Sequence, residues 1–298
     1  MNRLVWYVTL ILMSSCAGWA ELGRVELSQS DFNSGATYSV VPGGNYLFTE
    51  NITVTADVVG ITINADHVTI DLNGFTFQGA APAYQKAAIR QSASSQNAVV
   101  RNGFVTGWGG TEFYNAVIAL QGKGNRVEDL TVSYNSGEGI SVFESSMVRN
   151  CILHHNASHG VSAEDGSSVR ECVAFWNKTG VRLENGGVAQ ECVLTGNTNG
   201  VLMVSNNVVR SCLIVTNVSA LTFGGVDPGM NQIVNNHFVR NLQGIICNDH
   251  TVFAGNSGFA NGGGDFSLAG DAVYGPILDV TGATALVTNN PNINFSLK

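Results

Sequence analysis

The chain has 298 residues, enough for one large domain or two ordinary ones. Only 12% are charged, and 35 Gly stand against 5 Pro, which fits an all-β chain with a neutral polar surface. A net charge of −8 argues against a nucleic-acid partner, which needs clustered Lys and Arg, and against docking on anionic lipid. Residues 1–20 read as a secretory signal: Arg3 gives the positive start, Leu4 to Met13 the apolar stretch, Ser14 to Ala20 the small-residue end. Cleavage is expected before Glu21, and the apolar stretch is too short to span a bilayer. Cys16 opens an alternative, a bacterial lipoprotein signal, although Met13 and Ser14 fit it poorly. The expected location is secreted, cell-surface or periplasmic.

From about residue 59 the chain repeats with a period of roughly twenty residues. Cys151, Cys172, Cys192 and Cys212 are each followed, five residues on, by Asn156, Asn177, Asn197 and Asn217. Gly160, Gly180 and Gly200 then open new apolar runs. Each unit has a short β-rich run, a Gly/Asn/Ser turn, a second alternating run and a polar corner. Such a repeat buries its apolar edge only against its neighbours, so the chain should be a solenoid. The skeleton Val169-x-x-Cys172-x-Ala174-x-x-Asn177 also fits a leucine-rich repeat. Leucine does not dominate the apolar positions, however, and Gly180-Val181-Arg182-Leu183 reads as a second strand where many such repeats need a helix. The expected fold is an all-β, right-handed, single-stranded parallel β-helix of about ten coils, a rod near 50 Å long at about 4.8 Å per coil.

Open ends of such a rod are unpaired sheet edges and need covers. The expected organisation is a signal peptide at 1–20, an N-terminal cap at 21–46, the β-helix at 47–262 and a C-terminal cap or tail at 263–298. The regularly spaced cysteines should form an inward stack of free thiols, since side chains pointing the same way give poor disulfide geometry. The Asn-x-Ser/Thr sequences at Asn156, Asn177 and Asn217 fall on the inner asparagine ladder and read as structural.

The segment GGNYLFTENITV followed by GITINADHVTIDLNGFTFQG resembles the opening of secreted bacterial right-handed parallel β-helix repeat proteins, relatives of the pectate-lyase-like superfamily. The resemblance covers nearly all of the chain after residue 20. It implies extracellular polysaccharide lyases, hydrolases and epimerases, together with members of no known reaction. The catalytic signatures of those enzymes are missing. There is no Arg-x-Pro-x-x-Arg and no Asp-Pro-His, while Ser158-His159-Gly160 and Asn197-Thr198-Asn199 only echo the polygalacturonase set. The resemblance leaves enzymatic activity undecided.

Candidate site residues follow from stacking. The residue before each corner asparagine should point outward, which aligns Tyr134, His155 and Trp176 on successive coils. Corner insertions add Tyr84, Lys86, Trp108, Glu112, Phe113 and Tyr114. Rings stack on apolar sugar faces, so Tyr84, Trp108, Tyr114, Tyr134, His155 and Trp176 are the candidate substrate-binding residues. The plainer reading is that such aromatics shield the coil wall. Glu138 and His159, each three residues past its asparagine, are the candidate catalytic acid–base pair. His154, His155 and His159 are irregularly spaced and lack a second ligand cluster, so no metal and no cofactor are expected.

Two further outward rows stand out. Phe104, Thr131, Ile152, Val173, Val193, Leu213 and His237 form a mostly apolar stripe, which the C-terminal tail or a second subunit should cover. Arg101, Glu128, Arg149, Arg170, Gln190 and Arg210, beside Asp129, Glu171 and Glu191, should form surface ion pairs. The expected partner is a polysaccharide, with homo-oligomerisation through the stripe as a further option. The contrasting reading is a structural or adhesive rod.

Overall fold

The computed structural model describes residues 23–79, 86–109, 116–224, 229–247, 251–262, 265–268, 273–275, 277–280 and 292–297. These residues form a parallel β-solenoid of about eleven turns. One turn of 3-10 helix, Gln29–Asp31, interrupts the strands among them.

Each regular coil contributes to three faces. In one coil these are Met147–Arg149, Ile152–His154 and His159–Ala163. The next coil repeats them as Ser168–Arg170, Val173–Phe175 and Thr179–Asn185, in parallel register. The first two faces merge into one large sheet because Val99–Thr106 and Arg126–Ser133 run on around the corner between them. The third face is a separate nine-stranded sheet.

Register follows from burial. A slip of one residue would turn each inner row to solvent. The inner row of the first face runs Val127, Val148, Val169, Ala189, Val209, Ile233, Phe253, all fully buried. Each such aliphatic side chain contributes about 1.5–3 kcal/mol. Glycine is obligatory where an inner row meets a corner. A Cβ at Gly180 would stand 2.7 Å from the Gly200 carbonyl oxygen and 3.2 Å from the Asn197 amide nitrogen.

Polar ladders hold the corners. The backbone N–H of Asn156 donates to Asn177 Oδ1 (3.0 Å), that of Asn177 to Asn197 Oδ1 (2.9 Å), and that of Asn197 to Asn217 Oδ1 (2.9 Å). Each Nδ2 also donates to a carbonyl of the preceding coil, as Asn177 does to Leu153 (2.9 Å). The ladder continues through Asn241 and Asn261 to the carboxylate of Asp265. The cysteine stack is present as expected: Cys151, Cys172, Cys192 and Cys212 are free and buried. It then continues as asparagine, because the Cys212 N–H donates to Asn236 Oδ1 and the Asn236 N–H to Asn256 Oδ1.

Both ends differ from the sequence reading. Parallel pairing begins at Arg24–Leu27, which lies on Gly44–Phe48, ahead of the expected boundary at residue 47. The first coil is closed by Phe32, which packs on Phe48 and Phe77 with ring centroids 6.4 and 5.5 Å away. At the other end the described tail strands extend the stack. Val273–Tyr274 pairs with Thr251–Ala254, and Asn294–Leu297 pairs with Ser257–Phe259. These segments therefore do not fold back over the apolar stripe as expected; Phe295 takes the next place in it, beside Ser257. The stripe's register matches the sequence reading from Phe104 to His237, and Phe104, Ile152 and Leu213 are exposed.

Candidate functional site

The nine-stranded sheet turns a row toward the outside that begins each strand: Ala116, Glu138, His159, Thr179, Asn199. Glycine takes the next position, at Gly139, Gly160 and Gly180, and presses against the asparagine ladder inside. Glu138 and His159 are thereby left side by side on neighbouring strands, with His159 Nε2 3.8 Å from Glu138 Oε1. Both are largely buried, with side chains 12% and 15% exposed.

Three charged residues that sequence reasoning missed complete the cluster. Arg182 stands in the row Ser141, Ser162, Arg182. Its Nη1 donates to Ser162 Oγ (3.3 Å) and lies 3.8 Å from Glu164 Oε1, while Nη2 pairs with Glu184. The signal for Arg182 was available: it stands three residues after Thr179, the strand neighbour of His159. Two buried polar atoms in the cluster, Ser141 Oγ and His159 Nδ1, have no hydrogen-bond partner. Such orphans cost about 1–3 kcal/mol each; Arg170 Nε and Thr251 Oγ1 are the other two among the described residues.

The electrostatics follow from this placement. Burial pushes the Glu138 carboxyl up to about 7; Arg182 opposes the rise, and Glu164 and Glu184 add to it. Burial, followed by the charges of Arg182 and Lys178, pushes the His159 imidazole down to about 4. Glu164 is raised by burial and by Glu184. Near neutral pH the site holds a neutral imidazole beside a carboxyl poised between its two forms. A carboxyl tuned to the working pH can both give and take a proton.

One corner away, Tyr134, His155 and Trp176 form the expected outward column. Tyr134 and His155 are stacked with centroids 4.5 Å apart, and His155 meets Trp176 edge-on at 4.7 Å. Tyr134 and Trp176 are 58% and 60% exposed. All three adopt the left-handed backbone conformation, with φ of 55°, 53° and 55°, at a corner that takes Gly107 and Gly196 elsewhere. The indole lies across Gly196, where a Cβ would come within 2.9 Å of Trp176 Cδ1. His154 joins through a 2.9 Å contact between its Nδ1 and that of His155, and burial together with His155 lowers its pKa.

Trp108 requires a correction. It is 4% exposed, packs on Phe77 at 4.9 Å and donates its indole N–H to the Phe77 carbonyl (3.1 Å). It belongs to the core of the first coils and offers no ring to a ligand. Tyr84, Tyr114, Glu112 and Phe113 lie outside the described residues. Among the described residues no group of three or more His, Cys, Asp or Glu side chains could hold a metal ion, and no helix is long and apolar enough to cross a membrane.

Parallel coils stacked on asparagine and thiol ladders define a β-helix with one buried charged cluster on its outer wall. Residues 25–198 and 118–264 match the sequence model of the family described as right handed beta helix region, and the chain belongs to that family. Among solved structures it is similar to the Dettilon tailspike protein (gp208), at 12% identity and a TM-score of 0.52, over 84% of this chain and 61% of that one. The chain thus spans less than two thirds of the tailspike. It is also similar to the A-module of the mannuronan C-5 epimerase AlgE6 of Azotobacter vinelandii, at 12% identity and a TM-score of 0.50, over 93% and 91% of the two chains. At this identity the likeness establishes the fold. No curated protein matches the chain in sequence.

Proposed function

We propose that this β-helix is an exported protein that binds an extracellular polysaccharide and processes it at Glu138 and His159. The observation that carries the reading is the cluster itself. Two titratable side chains stand 3.8 Å apart on an outer wall, both largely buried, with Arg182 tying two further glutamates beside them. Buried titratable groups with shifted pKa values concentrate at functional sites. Tyr134, His155 and Trp176 supply the platform on which a sugar face can stack. In this role Glu138 protonates the glycosidic oxygen as its bond to the anomeric carbon breaks, water adds to that carbon and returns a proton to Glu138, and His159 stays neutral beside it. The mannuronan epimerase among the structural neighbours agrees with a glycan as ligand, on the strength of fold alone.

The test is retention of the purified protein on immobilised neutral and uronic-acid polysaccharides, with release of new chain ends followed in parallel. Retention on one polymer that is lost in the Tyr134→Ala/Trp176→Ala double variant, with an unchanged melting transition, supports the reading. Equal retention of the double variant removes the aromatic platform from it.

A second reading rests on the exposed stripe that includes Phe104, Ile152 and Leu213. It makes the protein a surface rod that assembles through this face. A concentration-dependent oligomer with no affinity for any glycan would favour it.

A further inference from the structure

The outer wall of the nine-stranded sheet has a second feature, upstream of the charged cluster. A cavity of about 270 Å³ opens over Ile61–Ile63 and Ile89–Gln91, lined by Thr62, Asn64, Arg90, Ser92, Ala93 and Gln121 together with Gln91. Its lining mixes hydroxyl and amide groups with carbon, including the methyls of Thr62 and Ala93, and holds no aromatic ring. A sugar ring, with several hydroxyls and C–H faces between them, meets donors, acceptors and carbon there.

One wall of the cavity is fixed. Gln91 is fully buried and fixed at both ends of its amide: Oε1 accepts the Gly122 N–H (2.9 Å) and Nε2 donates to Asn125 Oδ1 (3.0 Å). A Cβ at Gly122 would collide with the Ser95 carbonyl oxygen. The turn that carries Gln121 over the cavity is thus held without freedom to collapse. A preformed site loses little to ordering when it binds. Its volume lies just under the range for drug-sized ligands, which suits a single sugar ring.

Its position relates it to the cluster. Thr62 and Arg90 stand in the outward row that continues through Ala119, Ser141 and Ser162 to Arg182. Two strand steps, about 10 Å, separate Ile89–Gln91 from Glu138–Val142, and Glu138 lies three residues, about 10 Å, along its strand from Ser141, so Arg90 and Glu138 stand about 14 Å apart.

We propose that this cavity is a subsite that holds one sugar ring of the same polysaccharide, a few units along the chain from the point where Glu138 and His159 act. The inference rests on the polysaccharide reading above. It makes affinity depend on oligosaccharide length: a chain long enough to reach the cavity gains its hydrogen bonds, and a shorter one does not.

The experiment uses the full chain with short and long oligosaccharides prepared from xylan, mannan, mannuronan and polygalacturonate, measured by calorimetry. Two variants block the cavity. Ala93→Trp fills it from an exposed position, and Gln121→Leu removes one wall amide; thermal unfolding checks that both fold. The expected result is that the wild type binds long oligosaccharides of one polymer more tightly than short ones. Both variants then lose about tenfold on the long chains only, the worth of one or two hydrogen bonds. Binding with a length dependence that both folded variants preserve overturns the subsite and leaves the polysaccharide reading standing. No binding of any probe by the wild type overturns the reading beneath it.

Discussion

Asn156 and His159 are three residues apart and both turn away from water, yet they belong to opposite kinds of environment. Asn156 accepts and donates along its ladder, with its amide shared between Val132 O (3.0 Å) and Asn177 Oδ1 (3.1 Å). His159 has a buried Nδ1 with no partner and a pKa driven down by its surroundings. The ladder shows that this fold can satisfy buried polar groups coil after coil. The cluster holds two of the four buried side-chain atoms without a partner among the described residues, and local departures of this kind are where function is to be sought.

Breaking the ladder should have the largest effect. Asn177→Leu leaves the buried Asn156 N–H without its acceptor and removes the amide bond to the Leu153 carbonyl. A loss of about 3 kcal/mol or more is expected in urea unfolding. Gly180→Ala drives a methyl against the Gly200 carbonyl and should cost about 1–3 kcal/mol by the same measurement.

The cluster sharpens the contrast through pH. The raised Glu138 carboxyl holds a proton in the fold that the unfolded chain releases, so on its own it lowers stability as pH rises from the ordinary carboxylate range to about 7. The depressed His159 does the reverse: the unfolded chain binds the extra proton, so stability is lost as pH falls from the ordinary imidazole value toward about 4. Across most of that window the two oppose one another, and the wild type should be nearly flat. Glu138→Gln should then show stability rising with pH, and His159→Gln stability falling with pH, in melting temperatures between about pH 4.5 and 6.5. Parallel slopes in the two variants would show that the two groups do not make the opposing contributions described.

The smallest effects belong to the surface. Trp176→Gly removes a ring from a left-handed corner that glycine accepts freely, so its stability should stay within about 1 kcal/mol while glycan retention falls. Arg149→Ala breaks the 3.1 Å pair with the exposed Glu171 and should leave the melting temperature almost unmoved, with less effect still in salt.

Much of this was legible in the sequence because a parallel solenoid makes spacing into register. The columns from Cys151 to Cys212, from Asn156 to Asn217 and from Phe104 to His237 are all realised in the structure, and Glu138 and His159 meet as their common spacing implies. What the period could not show is what lies across the strand. Arg182, Glu164 and Glu184 enter the cluster from other outward rows, through the reach of long side chains. Trp108 misled because an insertion breaks the period there, and its neighbour Phe77 is already an inner residue of the preceding coil. Arg24–Leu27 escaped notice as a coil strand because one strand carries no repeat.

The most direct test of the site is turnover by the wild type and Glu138→Gln on the same polysaccharide panel. New chain ends or altered sugars from one polymer, lost in a folded Glu138→Gln variant that still binds that polymer, are the predicted result. Undiminished product from Glu138→Gln would contradict it and move the chemistry away from this cluster.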